Sequence, residues 1–139
     1  MKSREGLIRL KRFQVDEKRR QVAQIETMIA EFERMAKELN DQVVAEQDRS
    51  GIHDTAHFAY PTFAKAAIQR RDNLNASTHE LREQLRVAQE ECAEAVAELE
   101  KYEAIAERDQ DRHSDRTPDV GARDAGKAGP IRNASALAR

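Results

Sequence analysis

The sequence predicts an all-α fold: two long helices forming an antiparallel coiled-coil hairpin, with a disordered C-terminal tail. Three observations predict it. Apolar residues recur at alternating three- and four-residue steps through two segments of nearly equal length. Those segments are free of Pro, and of Gly apart from Gly6, while Ser50-Gly51 and Pro61 stand between them. The outer end of the first segment is basic and the outer end of the second is acidic. One domain over about 1–110 follows, with a helix over about 4–49, a turn over about 50–61 and a helix over about 62–110; residues 111–139 are the tail.

Composition sets what such a chain can build. Charged residues make up 36% and aromatics 4%, with no Trp, so a thick globular core is out of reach but a thin seam between long helices is not. A net charge of −2 argues against a protein that coats nucleic acid. The single Cys92 excludes an internal disulfide framework and suits a reducing compartment. No apolar stretch follows the charged Met1–Glu5 start, and none approaches the roughly 18–20 residues needed to span a bilayer, so a cytoplasmic chain is expected.

In the first arm, steps of seven from Ile8 give Val15, Val22, Ile29, Ala36 and Val43, interleaved with Lys11, Lys18, Ile25, Phe32, Leu39 and Glu46. From Val22 to Val43 every seam position is apolar, and a helix of about 45 residues is roughly 68 Å long. Such a helix needs a partner of similar length. Toward the N-terminus Lys11 and Lys18 occupy seam positions while Leu10 and Phe13 fall on the outer face. Either this end frays, with the lysines snorkelling, or another protein completes it.

The turn holds Phe58 and Tyr60, and Phe63 follows closely; these aromatics either pack the tip or form an exposed docking patch. Asp54 or Thr55 is placed to cap a short helical turn, and Pro61 to open the second helix. The second arm's seam runs through Ala64, Ala67, Arg71, Leu74, Thr78, Leu81, Leu85, Ala88, Cys92, Ala95, Leu99, Tyr102 and Ala106. Arg71 and Thr78 interrupt it, fixing register at some cost in stability.

Charge selects the direction of pairing. Residues 1–20 carry eight bases and three acids, a local +5, and residues 88–109 carry eight acids and two bases, a local −6. An antiparallel hairpin lays these stretches side by side, whereas a parallel dimer would align like with like.

Chemistry-bearing motifs are few. Gly121-Ala-Arg-Asp-Ala-Gly-Lys127-Ala128 approaches a phosphate-binding loop but lacks the hydroxyl residue after the Lys and any preceding strand. The glycosylation patterns at Asn75 and Asn133 carry no weight in a cytoplasmic chain. His53 and His57 share a face only if the turn is helical, and nothing beyond Asp54 completes a zinc site. No nucleophile, base and orienting group converge, so neither catalysis nor a cofactor nor a metal is expected.

Two stretches carry a more specific likeness. Leu7-Ile-Arg-Leu-Lys-Arg-Phe-Gln-Val-Asp-Glu-Lys-Arg-Arg-Gln-Val-Ala-Gln-Ile-Glu26 resembles the N-terminal arm of the FliJ family of flagellar type III export proteins, in its alphaproteobacterial form. His57-Phe-Ala-Tyr-Pro-Thr-Phe-Ala-Lys-Ala-Ala-Ile-Gln-Arg-Arg-Asp-Asn-Leu74 resembles the region after that family's turn, and the aromatic segment is the more discriminating. The likeness covers about residues 1–110; the tail departs from the family, whose second helix continues in charged helical sequence.

The resemblance implies an antiparallel coiled coil similar to the stalk of rotary ATP synthases. Such a rod directs its two helix ends into the hexameric export ATPase FliI, contacts the export gate FlhA and hands on export chaperones, without catalysing anything itself. It implies a place at the cytoplasmic face of the flagellar basal body, peripheral to the membrane only through partners, and a part in motility. On that footing Arg9, Leu10, Arg12 and Phe13 are expected to meet the ATPase ring, and Phe58, Tyr60 and Phe63 the gate. A generic coiled-coil scaffold is the alternative. A DNA-binding zipper fits less well, because Leu7, Ile8, Leu10, Phe13 and Val15 interrupt the basic run and Gly51 and Pro61 break the zipper.

Overall fold

Helix formation here follows from residues that lose little entropy in a helix and from a stripe that two helices bury together. A computed structural model describes residues 2–116. Two helices account for most of them: α1 from Lys2–Ser50 and α2 from Thr62–Arg116. They lie antiparallel along one another. In every polar pair that links them, the two residue numbers sum to between 109 and 115, which places the fold-back near residues 55–57.

Every expected seam position is drawn away from solvent. Val15, Ile29, Ala36 and Val43 of α1 are buried, as are Ala64, Ala67, Thr78, Leu81 and Ala88 of α2. The remaining seam residues, Lys11, Lys18 and Glu46 among them, are half-buried. Cys92 is one of these, so its sulfur packs as a small apolar group in the seam.

The end of α1 is stopped as its sequence suggests. Gly51 takes a left-handed φ of 75°, and its N–H donates to the Gln47 carbonyl at 2.8 Å. Ser50 Oγ accepts from Ile52 N–H at 3.2 Å. At the far side of the turn the Pro61 carbonyl accepts the first helical bond, from Lys65 N–H at 3.1 Å. Pro61 therefore stands just before α2, where its missing N–H costs nothing.

No helix forms within residues 51–61, but Asp54 does cap a single turn there: its carbonyl accepts from His57 N–H and its side chain from Ala56 N–H, both at 3.0 Å. One expectation is corrected: α2 does not end at 110 but continues to Arg116. Nothing in Asp111–Arg116 stops a helix, and Arg112 donates to Asp109 one turn back at 3.2 Å. The remainder of the expected tail, 117–139, including the Gly121–Ala128 loop pattern and Asn133, lies outside the described residues.

The polar interruptions differ in kind. Arg71 is satisfied, donating to Asn40 Oδ1 of α1 at 2.7 Å and to Asp72 at 3.0 and 3.1 Å. Thr78 Oγ1 is buried and has no hydrogen-bond partner. Such a hydroxyl has given up water without replacement, so Thr78→Val, nearly the same shape and helix propensity, is expected to stabilise the hairpin by about 1 kcal/mol. The check is a higher urea midpoint with unchanged slope.

Candidate partner-binding surfaces

The hairpin has an open end, where Lys2 and Arg116 terminate the helices, and a closed tip at residues 51–61. At the open end the basic and acidic stretches are zipped together. Arg4 pairs with Asp109, Lys11 Nζ lies 3.6 Å from Glu98, Arg12 donates to Glu103 at 3.1 Å, and Lys18 donates to Glu91 at 3.1 Å. Lys11 also sits over the Tyr102 ring, 5.3 Å from its centroid. The two seam lysines are thus neither frayed nor idle: their stems cover the seam and their heads reach acids on α2.

That zipper decides what this end can offer a partner. Arg12 is committed to Glu103, whereas Arg9 has no ion-pair partner among the described residues. Leu10 is 49% exposed and Phe13 56%. Phe13 stands three residues from Leu10 and four from Arg9, so it neighbours both on the outside of α1. A basic residue beside two large apolar side chains is the make-up of a protein-docking surface with an apolar centre. Closer to the helix ends, Arg4, Ile8, Ala106 and Asp109 line a cleft between α1 and α2.

At the tip the structure separates the three aromatics. Tyr60 is buried, 6% exposed, and its hydroxyl accepts from Gln47 Nε2 at 2.8 Å, tying the loop to α1. Phe58 is 96% exposed and Phe63 58%. The Phe58 ring stacks on His57, with centroids 4.8 Å apart. His57 is held in turn: its Nδ1 accepts from Ala59 N–H at 3.0 Å, its N–H donates to the Asp54 carbonyl at 3.0 Å, and its carbonyl accepts from Tyr60 N–H at 3.0 Å. Tyr60 is therefore a packing residue, and of the three aromatics Phe58 and Phe63 are the ones presented to solvent.

The histidines do not converge. His53 Nε2 lies 3.5 Å from Asp48, while His57 is occupied within the loop. Among the described residues no group of three His, Cys, Asp or Glu is placed to hold a metal ion. Nor is any helix there long and apolar enough to cross a membrane.

Along the shaft most ion pairs lie within one helix, such as Arg34 with Glu31 and Glu38, and Arg86 with Glu83 and Glu90. The Arg49 and Arg86 hydrogen bonds hold the Glu46 and Glu83 carboxyls below the usual range. Met28 and Met35 escaped the sequence reading, because counting only seam positions passes over the column beside the seam. Both are exposed, and their seven-residue spacing was the available signal. No protein-family model matches the chain, and neither a curated protein nor a solved structure matches it.

Proposed function

We propose that the chain is a non-catalytic stalk of the flagellar type III export apparatus, engaging the FliI ATPase ring with its open end and the FlhA gate with its tip. The observation that carries this reading is the open end of the rod. Both helix ends lie together there, and Arg9, Leu10 and Phe13 face outward although the seam beside them is closed by its own ion pairs. A rod that only spaced two other domains has no need of exposed Leu and Phe on one face of its end. The likeness of residues 7–26 and 57–74 to the FliJ family supplies the identity of the partner. The same pairs weigh against a DNA reader, since Arg4, Lys11, Arg12 and Lys18 already hold acids of α2.

Export chaperones, a location at the cytoplasmic face of the basal body and a role in motility belong to this proposal. The test is binding of the purified chain to FliI. Because Arg9, Leu10 and Phe13 are exposed, replacing all three with Ala leaves the hairpin folded by circular dichroism. The triple variant is expected to lose about 100-fold in affinity, roughly 2.7 kcal/mol spread over three interface residues. Unchanged affinity overturns the assignment of this face, and no binding by the unaltered chain overturns the export reading.

A further inference from the structure

The two flanks of the rod are chemically unlike. On one flank the helices are linked by Arg12–Glu103 and Arg82–Glu33, with Arg71 bonded to Asn40 between α2 and α1. On the other, the α1 positions beside the seam between Gln14 and Arg49 of the same series are Gln21, Met28, Met35 and Gln42, uncharged and spaced by seven. Successive sevens in a helix fall on nearly one line, so these four form a column along the rod. Gln84 and Ser77 of α2 stand at the levels of Met28 and Met35, and Gln21, Gln84 and Val87 line one groove. Met28, Met35 and Val87 are exposed, and beyond the Lys18–Glu91 pair no cross-helix ion pair among the described residues bridges this flank between Gln21 and Gln42.

The column reads the same in both directions: Gln, Met, Met, Gln, centred between residues 31 and 32. A surface that meets its own copy about a two-fold axis must be self-complementary, with residue i against j and j against i. We propose that the chain pairs with a second copy of itself along this flank, α1 against α1 in antiparallel order, Met28 opposite Met35 and Gln21 opposite Gln42. Methionine side chains adapt to one another without demanding fixed geometry, and facing glutamines donate and accept equally.

Charge supports a like partner. The four-residue column is itself uncharged and meets its copy without like-charge repulsion. The groove beside the column also holds Glu83 and Glu91, paired with Arg86 and Lys18, while Glu31 and Glu38 are both held by Arg34 at 2.5 and 2.6 Å. Two acids on one Arg leave a small negative excess, so salt leaves the pairing unchanged or strengthens it; an ion-pair dimer would weaken. The column shares no residue with the open end or the tip, so this inference and the proposed export role stand or fall separately.

The test is sedimentation velocity on the full chain over a range of concentrations. A monomer–dimer equilibrium is expected, with added salt not lowering the dimer. Met28→Glu with Met35→Glu is expected to lower the dimer constant by about tenfold or more, because each new carboxylate loses water without gaining a partner. Both positions are exposed, so helicity, and the urea midpoint at concentrations where the chain is monomeric, stay as they were. A chain that remains monomeric throughout, or a dimer indifferent to the two changes, overturns the proposal.

Orientation is read separately in a Cys92→Ser background. Mixing Met28→Cys chains with Met35→Cys chains is expected to give disulfide-linked heterodimers on oxidation, while either variant alone gives few. Seven residues along a helix is about 10.5 Å, beyond the reach of a disulfide. Efficient crosslinking of each variant with itself would show parallel pairing and overturn the antiparallel arrangement.

Discussion

Replacing Tyr60 with Ala is expected to lower the free energy of unfolding by about 3–5 kcal/mol, while Phe58→Ala changes it by less than about 0.5 kcal/mol. The two residues are two positions apart in one loop, and their environments are opposite. Tyr60 is buried and anchors the loop to α1 through the Gln47 hydrogen bond. Removing its buried ring leaves a void at the base of the loop, and the loop loses its tie to Gln47 of α1. Tyr60→Phe keeps the ring and removes only the hydroxyl, so it should cost about 1 kcal/mol.

Phe58 touches His57 and otherwise solvent, so its loss leaves no cavity. Urea unfolding followed by far-ultraviolet circular dichroism separates the three variants; equal losses at positions 58 and 60 would contradict the placement of both rings. The contrast also makes the gate assignment testable. Phe58→Ala with Phe63→Ala yields a folded rod lacking its exposed aromatics, so loss of gate binding in that variant cannot be blamed on unfolding.

The Tyr60 and Phe58 pair also shows where sequence reasoning stops. In a helix, spacing fixes facing, and for that reason every expected seam position from Ile8 to Ala106 lies out of full solvent exposure in the structure. Within residues 51–61 there is no helical phase to extrapolate. Which aromatic turns inward depends on the local bonds made by Asp54 and His57, and no periodicity encodes them. The continuation of α2 beyond Gln110 was hidden for another reason. The apolar pattern ends at Ala106, and a pattern that reports burial says nothing about where a solvated, charged helix stops.

At the open end the sequence supplied the orientation but not the partners. The +5 and −6 stretches favour antiparallel pairing whatever the detailed register. That Lys11 would lie over Tyr102 and reach Glu98, rather than face solvent, needed the register itself. Likewise Arg12 is helical, charged and near Phe13 in sequence, yet its guanidinium is committed to Glu103 while Arg9 is not. Proximity in sequence groups residues; only the opposite helix divides the committed from the available.

Reversing the two seam lysines is expected to open this end of the hairpin. In Lys11→Glu with Lys18→Glu, two attractions become two repulsions, against Glu98 and Glu91. At partly exposed sites each attraction is worth up to about 1 kcal/mol and each repulsion costs a similar amount, so a total loss of about 2 kcal/mol is expected. Position 11 carries a further penalty, because a carboxylate over Tyr102 meets the negative face of the ring that attracted the ammonium.

The decisive arm is rescue. Adding Glu91→Lys and Glu98→Lys restores opposite charges at the same pairs and should return most of the stability, as a double-mutant cycle in urea would measure. A parallel arrangement predicts no such recovery, since residues 11 and 18 would then never meet 98 and 91. The loss should also shrink as salt is raised, because these groups are only partly shielded from water. Full rescue at low salt would tie the orientation of the rod to named charges; a quadruple variant no more stable than the double one would mean that the apolar seam alone sets it.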